Sequence, residues 1–108
     1  MSERIAIETW INPNPVVMKA GESLGRGLEL MAGNRIGAVL IVKDERLAGI
    51  FTERDLLTLF SCHSESDVLM KLAQPVERFM TKNPATAQAS DDYNSVYVKM
   101  KAHGVRHI

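Results

Sequence analysis

The 108-residue sequence holds a single cysteine, Cys62, so an internal disulfide is excluded, and no Cys/His spacing resembles a zinc finger or a dithiol redox motif. A reducing, cytoplasmic location is expected. Net charge is also absent: thirteen Lys and Arg balance thirteen Asp and Glu, which leaves no basic footprint for a nucleic-acid duplex. The longest apolar run, Ile36–Val42, contains Gly37 and falls far short of the ~20 residues that a membrane helix needs. Nor do the first ten residues, with Glu3, Arg4 and Glu8, have the form of a signal peptide. Neither nucleic acid nor membrane is an expected partner.

A catalytic constellation is missing as well. Cys62 and His63 are adjacent, and neighbours on an extended chain point apart, so they do not make a nucleophile and its base. His103 and His107 have the four-residue helical metal spacing, but Gly104 falls between them at an expected helix end. Gly25-Arg26-Gly27 lies inside an expected helix with no strand directly before it, which argues against a phosphate loop and for close packing against the other repeat at Gly27. The reading is a binding protein without enzymatic activity, metal or required cofactor.

What the sequence does have is a globular composition, 45% hydrophobic and 24% charged, in a length that suits one small domain or two very small repeats. It repeats itself. Asn14-Pro15 recurs as Asn83-Pro84, and the same offset of 69 residues aligns Ile7–Val39 with Val76–Ile108 without a gap. Few positions are identical, but the apolar pattern matches in kind at Ile7/Val76, Trp10/Phe79, Ile11/Met80, Leu24/Tyr93, Leu28/Tyr97 and Ile36/Val105. Two copies of one core would require this.

Each copy reads as a helical turn, Asn-Pro, a short strand and then a helix. The proline biases the asparagine before it away from the α region, so the first turn ends there. Val16–Met18 reads as the strand. Ser23 and Asp92, at matching positions, are good N-caps for the helices that follow, whose trios Leu24, Leu28, Met31 and Tyr93, Tyr97, Met100 each fall on one face. A left-handed residue at Gly33-Asn34 is expected to close the first helix. Ile36–Val42 and Leu47–Thr52 flank the turn Lys43–Arg46 as a buried hairpin, and Glu53–Phe60 is a closing helix with Leu56, Leu57, Leu59 and Phe60 inward. Met18, Met31, Met70, Met80 and Met100 are expected in the core. The division is thus a complete first repeat at residues 7–60, a linker at 61–75, and the N-terminal part of a second repeat at 76–108. That second copy lacks a counterpart of residues 40–59, which would leave the face of Tyr93 and Tyr97 uncovered unless another chain covers it.

Three features together resemble the cystathionine-β-synthase-type (CBS) domain: the Asn-Pro segment, the helix Leu24–Met31 followed by Ile36–Val42, and above all Gly49-Ile50-Phe51-Thr52-Glu53-Arg54-Asp55. Phe79–Pro84 and Gly104–Ile108 look like parts of a second copy. The resemblance implies an α/β (α+β) fold, a tandem CBS pair or Bateman module, whose β-α-β-β-α repeats pack through their sheets about a pseudo-twofold axis. It implies a homodimer and a regulatory ligand such as AMP, ADP, ATP or S-adenosylmethionine, bound between the repeats and signalling by a conformational shift. The effector that receives the signal is not specified. The runner-up is a dimerisation module with a vestigial site.

Thr52-x-x-Asp55 has two compatible readings. One is a capping box at the start of helix 53–60. In the other, which the resemblance favours, Thr52, Arg54 and Asp55 meet the phosphate or ribose of the ligand at a helix N-terminus. The resemblance further places adenine against Ile36, Gly37 and Ala38, where the small residues leave room, with backbone groups near Met18 and Lys19 reading its edge. It aims Arg106 and His107 at phosphate oxygens.

Overall fold

The computed structural model describes residues 12, 14–62, 64–105 and 107–108. They fall into two compact units, one of Pro15–Asn83 and one seen chiefly in the residues that follow Pro84. The helical turn expected ahead of Asn14, with Ile7, Trp10 and Ile11, lies outside the described residues, as do His63 and Arg106.

The larger unit is a four-stranded sheet in the order β1-β2-β3-β4, with β1 Val17–Lys19, β2 Ala38–Lys43, β3 Arg46–Thr52 and β4 Thr81–Lys82. Helix α1 (Leu24–Asn34) connects β1 to β2, which run parallel, as a crossover of this kind requires. β2 and β3 form the expected hairpin. Its two-residue turn puts Asp44 and Glu45 at φ 52° and 63°, the twist that matches flanking strands. Val39 and Ile41 of β2 and Phe51 of β3 are fully buried, together with Leu24 of α1. Alternation along each strand therefore sends one face to the helices. The register slips between Ile41 and Val42, leaving Ala48 as an extra residue before Gly49.

α1 begins at Ser23, whose Oγ accepts the Arg26 N–H at 3.1 Å, as expected. Two more of its free N–H groups are taken from far along the chain: Leu24 donates to the Gln74 carbonyl at 2.8 Å and Gly25 to that of Leu72 at 2.9 Å. Gly27 packs on Met18 and on Val76, a residue of the second repeat by the 69-residue register. The helix closes on Arg35, at φ 53°, and not on Gly33 or Asn34. Asn34 stays helical because its side chain donates back to the Leu30 carbonyl at 2.8 Å.

Helix α2 (Glu53–Cys62) buries Leu59 and half-buries Leu56, but Leu57 and Phe60 are exposed, which corrects the expectation that all four point inward. At 3.6 residues per turn only one pair faces the sheet. The expected linker contains helix α3 (Glu65–Lys71), capped by Ser64 and burying only Val68. Met70 is 73% exposed and so not a core residue. A 3₁₀ turn at Val76–Arg78 is the helical turn expected in copy two, and it brings the fully buried Val76 into the core of the larger unit.

β4 was not anticipated. It pairs with β3 through Gly49↔Lys82 and Ile50↔Thr81. A side chain at Gly49 would place its Cβ 2.7 Å from the Thr81 carbonyl oxygen, so glycine is what lets the strand close in.

In the second unit, helix α4 (Tyr93–His103) has the expected Asp92 cap, accepting the Ser95 N–H at 2.8 Å, and closes on Gly104 at φ 63°. Val96 is buried, while Tyr93 and Tyr97 are more than half exposed. The strand expected after Pro84 is not formed at residues 84–88. Its counterpart β1 is held by backbone pairing to Leu40–Val42, and among the described residues no strand pairs with 84–88.

Gly49→Ala should cost about 1–3 kcal/mol, the range for overpacking a tight contact, because β4 must move away. Urea denaturation of the full chain measures it.

Candidate functional site

The motif Thr52–Asp55 sits where β3 runs directly into α2, so its side chains gather at the first turn of a helix on the rim of the sheet. Thr52 is the cap. Its Oγ1 accepts the Asp55 N–H at 3.4 Å and donates to Asp55 Oδ2 at 3.1 Å, while the Thr52 N–H donates to the same carboxylate oxygen at 2.9 Å. The reciprocal capping box is therefore present. A third donor arrives from a distant segment: Thr81 Oγ1, on β4, donates to Asp55 Oδ1 at 2.9 Å. Both Thr52 and Asp55 are half-buried.

Gly37 joins this group through the backbone, since the Glu53 N–H donates to its carbonyl at 3.0 Å. Ile36 and Ala38 flank it and are half-buried. The space above Gly37 is not empty, however. A Cβ there would lie 3.3 Å from Cδ of Glu53, so the room expected for an adenine ring holds a carboxylate instead.

Met18 turns its side chain into the core, 2% exposed, as a residue on the inner face of β1 must. Lys19 has both backbone groups engaged by one residue: its N–H donates to Glu22 Oε2 at 2.7 Å, and its carbonyl accepts the Glu22 N–H at 3.0 Å. Of the backbone groups near Met18 and Lys19 expected to read the adenine edge, those of Lys19 are therefore engaged within the turn. The β1–α1 turn folds back on itself and satisfies that edge locally. Arg54 is exposed on the first turn of α2. His107 is exposed and belongs to the other unit, so the larger unit brings together Thr52, Asp55, Gly37, Ile36 and Ala38 and not the whole expected set.

Three participants escaped the sequence reading: Glu53, Glu22 and Thr81. Glu53 stood inside the motif, but only its neighbours carried a signal. Thr81 lies 26 residues from Asp55, and nothing in its spacing announces the contact. Among the described residues, no group of three or more His, Cys, Asp or Glu is placed to hold a metal ion, and no helix is long and apolar enough to cross a membrane.

Residues 7–61, just over half of the sequence, match the CBS domain. The chain belongs to the CBS domain family. No curated protein matches it in sequence. Among solved structures, a CBS-domain containing protein of Agrobacterium tumefaciens superposes with a TM-score of 0.80 at 25% identity, over 94% of this chain and 74% of that one. A CBS domain protein of Pyrobaculum aerophilum, complexed with AMP, gives 0.80 at 20% identity over 96% and 76%. A CBS domain pair complexed with 5′-methylthioadenosine and S-adenosyl-L-methionine gives 0.75 at 19% identity over 95% and 77%. The fold is the mixed α+β fold of CBS domain pairs. In CBS terms, the Gly49–Asp55 motif is a strand end, a cap and a helix start in one.

Asp55→Ala strands the half-buried Thr52 N–H and should cost about 1–3 kcal/mol. Asp55→Asn keeps one acceptor oxygen and should cost less than half of that. Urea denaturation of the two variants beside the parent measures the difference.

Proposed function

We propose that this CBS chain is a regulatory module that senses an adenosine-containing ligand of the AMP, ADP, ATP or S-adenosylmethionine kind and passes on its occupancy as a shift of the CBS repeats. Residues 7–60 and 76–108 are, in this reading, the two repeats, joined by the linker 61–75. The observation that carries it is the assembly of Thr52 and Asp55 at the start of α2 in a chain of this family. Relatives of the same fold complexed with AMP, or with methylthioadenosine and S-adenosylmethionine, support the ligand class. Asp55 accepts from ribose hydroxyls, Thr52 and the first N–H groups of α2 face phosphate or ribose oxygens, and Ile36 and Ala38 lie against the base. Arg54, on the first turn of α2, supplies positive charge for a phosphate.

A second reading, a CBS-type dimerisation module with a vestigial site, has its own support. Asp55 already has three donors, Glu53 lies over Gly37, and Leu57, Phe60, Leu69 and Met70 are all more than half exposed on α2 and α3. Such apolar residues favour self-association under either reading, and we propose a homodimer. Sedimentation velocity at micromolar concentration should show it, and a compact folded monomer would sink the idea.

The two readings part on ligand binding. A ligand that binds only the folded state at ~100 times its Kd stabilises it by ~2.7 kcal/mol, so millimolar AMP, ADP, ATP or S-adenosylmethionine should raise the melting temperature, with guanine and pyrimidine nucleotides doing so less. No shift with any of the four adenosine ligands selects the interaction module.

A further inference from the structure

We propose that Thr81 is a competitor for the ligand: its hydroxyl holds the Asp55 carboxylate in the free protein, and a bound ribose displaces it, releasing β4. The proposal rests on the ligand-sensing reading above and adds to it the residue that converts binding into movement.

A carboxylate offers about four acceptor positions, two on each oxygen. Asp55 Oδ2 uses both of its own, for the Thr52 N–H at 2.9 Å and the Thr52 hydroxyl at 3.1 Å. Oδ1 has one position filled by the Thr81 hydroxyl at 2.9 Å and one left over. The two Thr52 bonds are the reciprocal half of the capping box, and losing them leaves the half-buried Thr52 N–H without this acceptor. A ribose presents two neighbouring hydroxyl donors and needs two acceptor positions. The count closes in one way: the second position comes from Thr81.

Thr81 is suited to yield. It is exposed, so water replaces its lost bond, whereas Thr52 and Asp55 are half-buried. β4 is only two residues long, both exposed, and pairs with β3 through just Gly49↔Lys82 and Ile50↔Thr81. The Thr81–Asp55 bond is the side-chain tie between this strand and the start of α2. Beyond β4 the chain leaves the larger unit at Asn83, a non-glycine residue at φ 50°. A ligand hydroxyl on Asp55 therefore acts on the last strand before the passage between the two units. Coupling of this kind is reciprocal: whatever β4 contributes by holding Asp55, the ligand must overcome.

The test is isothermal titration of AMP, and of its dideoxyribose analogue, into the full-length parent, Thr81→Val and Thr81→Ser. Valine keeps the shape and removes the hydroxyl. AMP should bind Thr81→Val about three- to tenfold more tightly than the parent, since a hydrogen bond of ordinary net strength no longer opposes it. Thr81→Ser, which retains the hydroxyl, should bind like the parent, and the dideoxy analogue should bind the parent and Thr81→Val equally. A merely structural role for Thr81 would weaken both ligands in Thr81→Val. Equal or weaker binding of AMP by Thr81→Val overturns the competition while leaving the ligand-sensing reading intact. Failure of AMP to bind any of the three proteins overturns that reading and the competition with it.

Discussion

The Asp55 carboxylate collects three hydrogen bonds from two residues, two from Thr52, where β3 runs into α2, and one from Thr81 on β4. An acceptor-only group in a half-buried position is stable when donors surround it, and here they come from the elements that a sheet edge must hold together. Around that point the other constraints fall into place. Gly49 has no side chain, so Met80 and Thr81 approach β3 closely enough for the Thr81 hydroxyl to reach Asp55. Phe51, two residues on, points into the core and fixes the pleat that turns Thr52 and the start of α2 to the rim.

The same economy appears at α1. Its first N–H groups are closed by Ser23 from its own chain neighbourhood and by the carbonyls of Leu72 and Gln74. No free amides remain there for an anion, although a Gly-x-Gly stands at the spot. In the ligand-sensing proposal the phosphate-facing end is the other helix, α2, whose first turn carries Glu53 and Asp55. Two carboxylates temper the helix dipole at that end, and a ligand's charge is weighed against them.

Local chemistry made much of this readable in advance. Ser23 and Asp92 are caps because a short side-chain oxygen reaches the N3 amide, and that depends on adjacent residues alone. The hairpin at Asp44-Glu45 and the Thr52–Asp55 box are local in the same sense. Where tertiary packing decides, the sequence was silent or misleading. Leu57 and Phe60 look like core residues, but the sheet has one face and takes Leu56 and Leu59. Glu53 covers Gly37 and Glu22 closes Lys19, although each is an ordinary surface acid by pattern. The 69-residue repeat predicts a strand after Pro84, yet strands exist only with partners, and β1's counterpart has none at those positions.

The long-range closure of α1 carries a consequence for how the chain is made. Leu24 and Gly25 find their acceptors some fifty residues downstream, and Val76 fills the core beneath Gly27. Domains fold as units while the ribosome delivers them from the N-terminus. A nascent chain that has emerged only as far as Phe60 contains β1, α1, β2 and β3 but still lacks the acceptors of its first helix, the core side chain Val76 and the outer strand β4. The stretch that ends at Phe60 is therefore not a folding unit by itself; the compact unit runs to Asn83. That stretch waits on residues 72–82, and the larger unit can close only once they have left the ribosome.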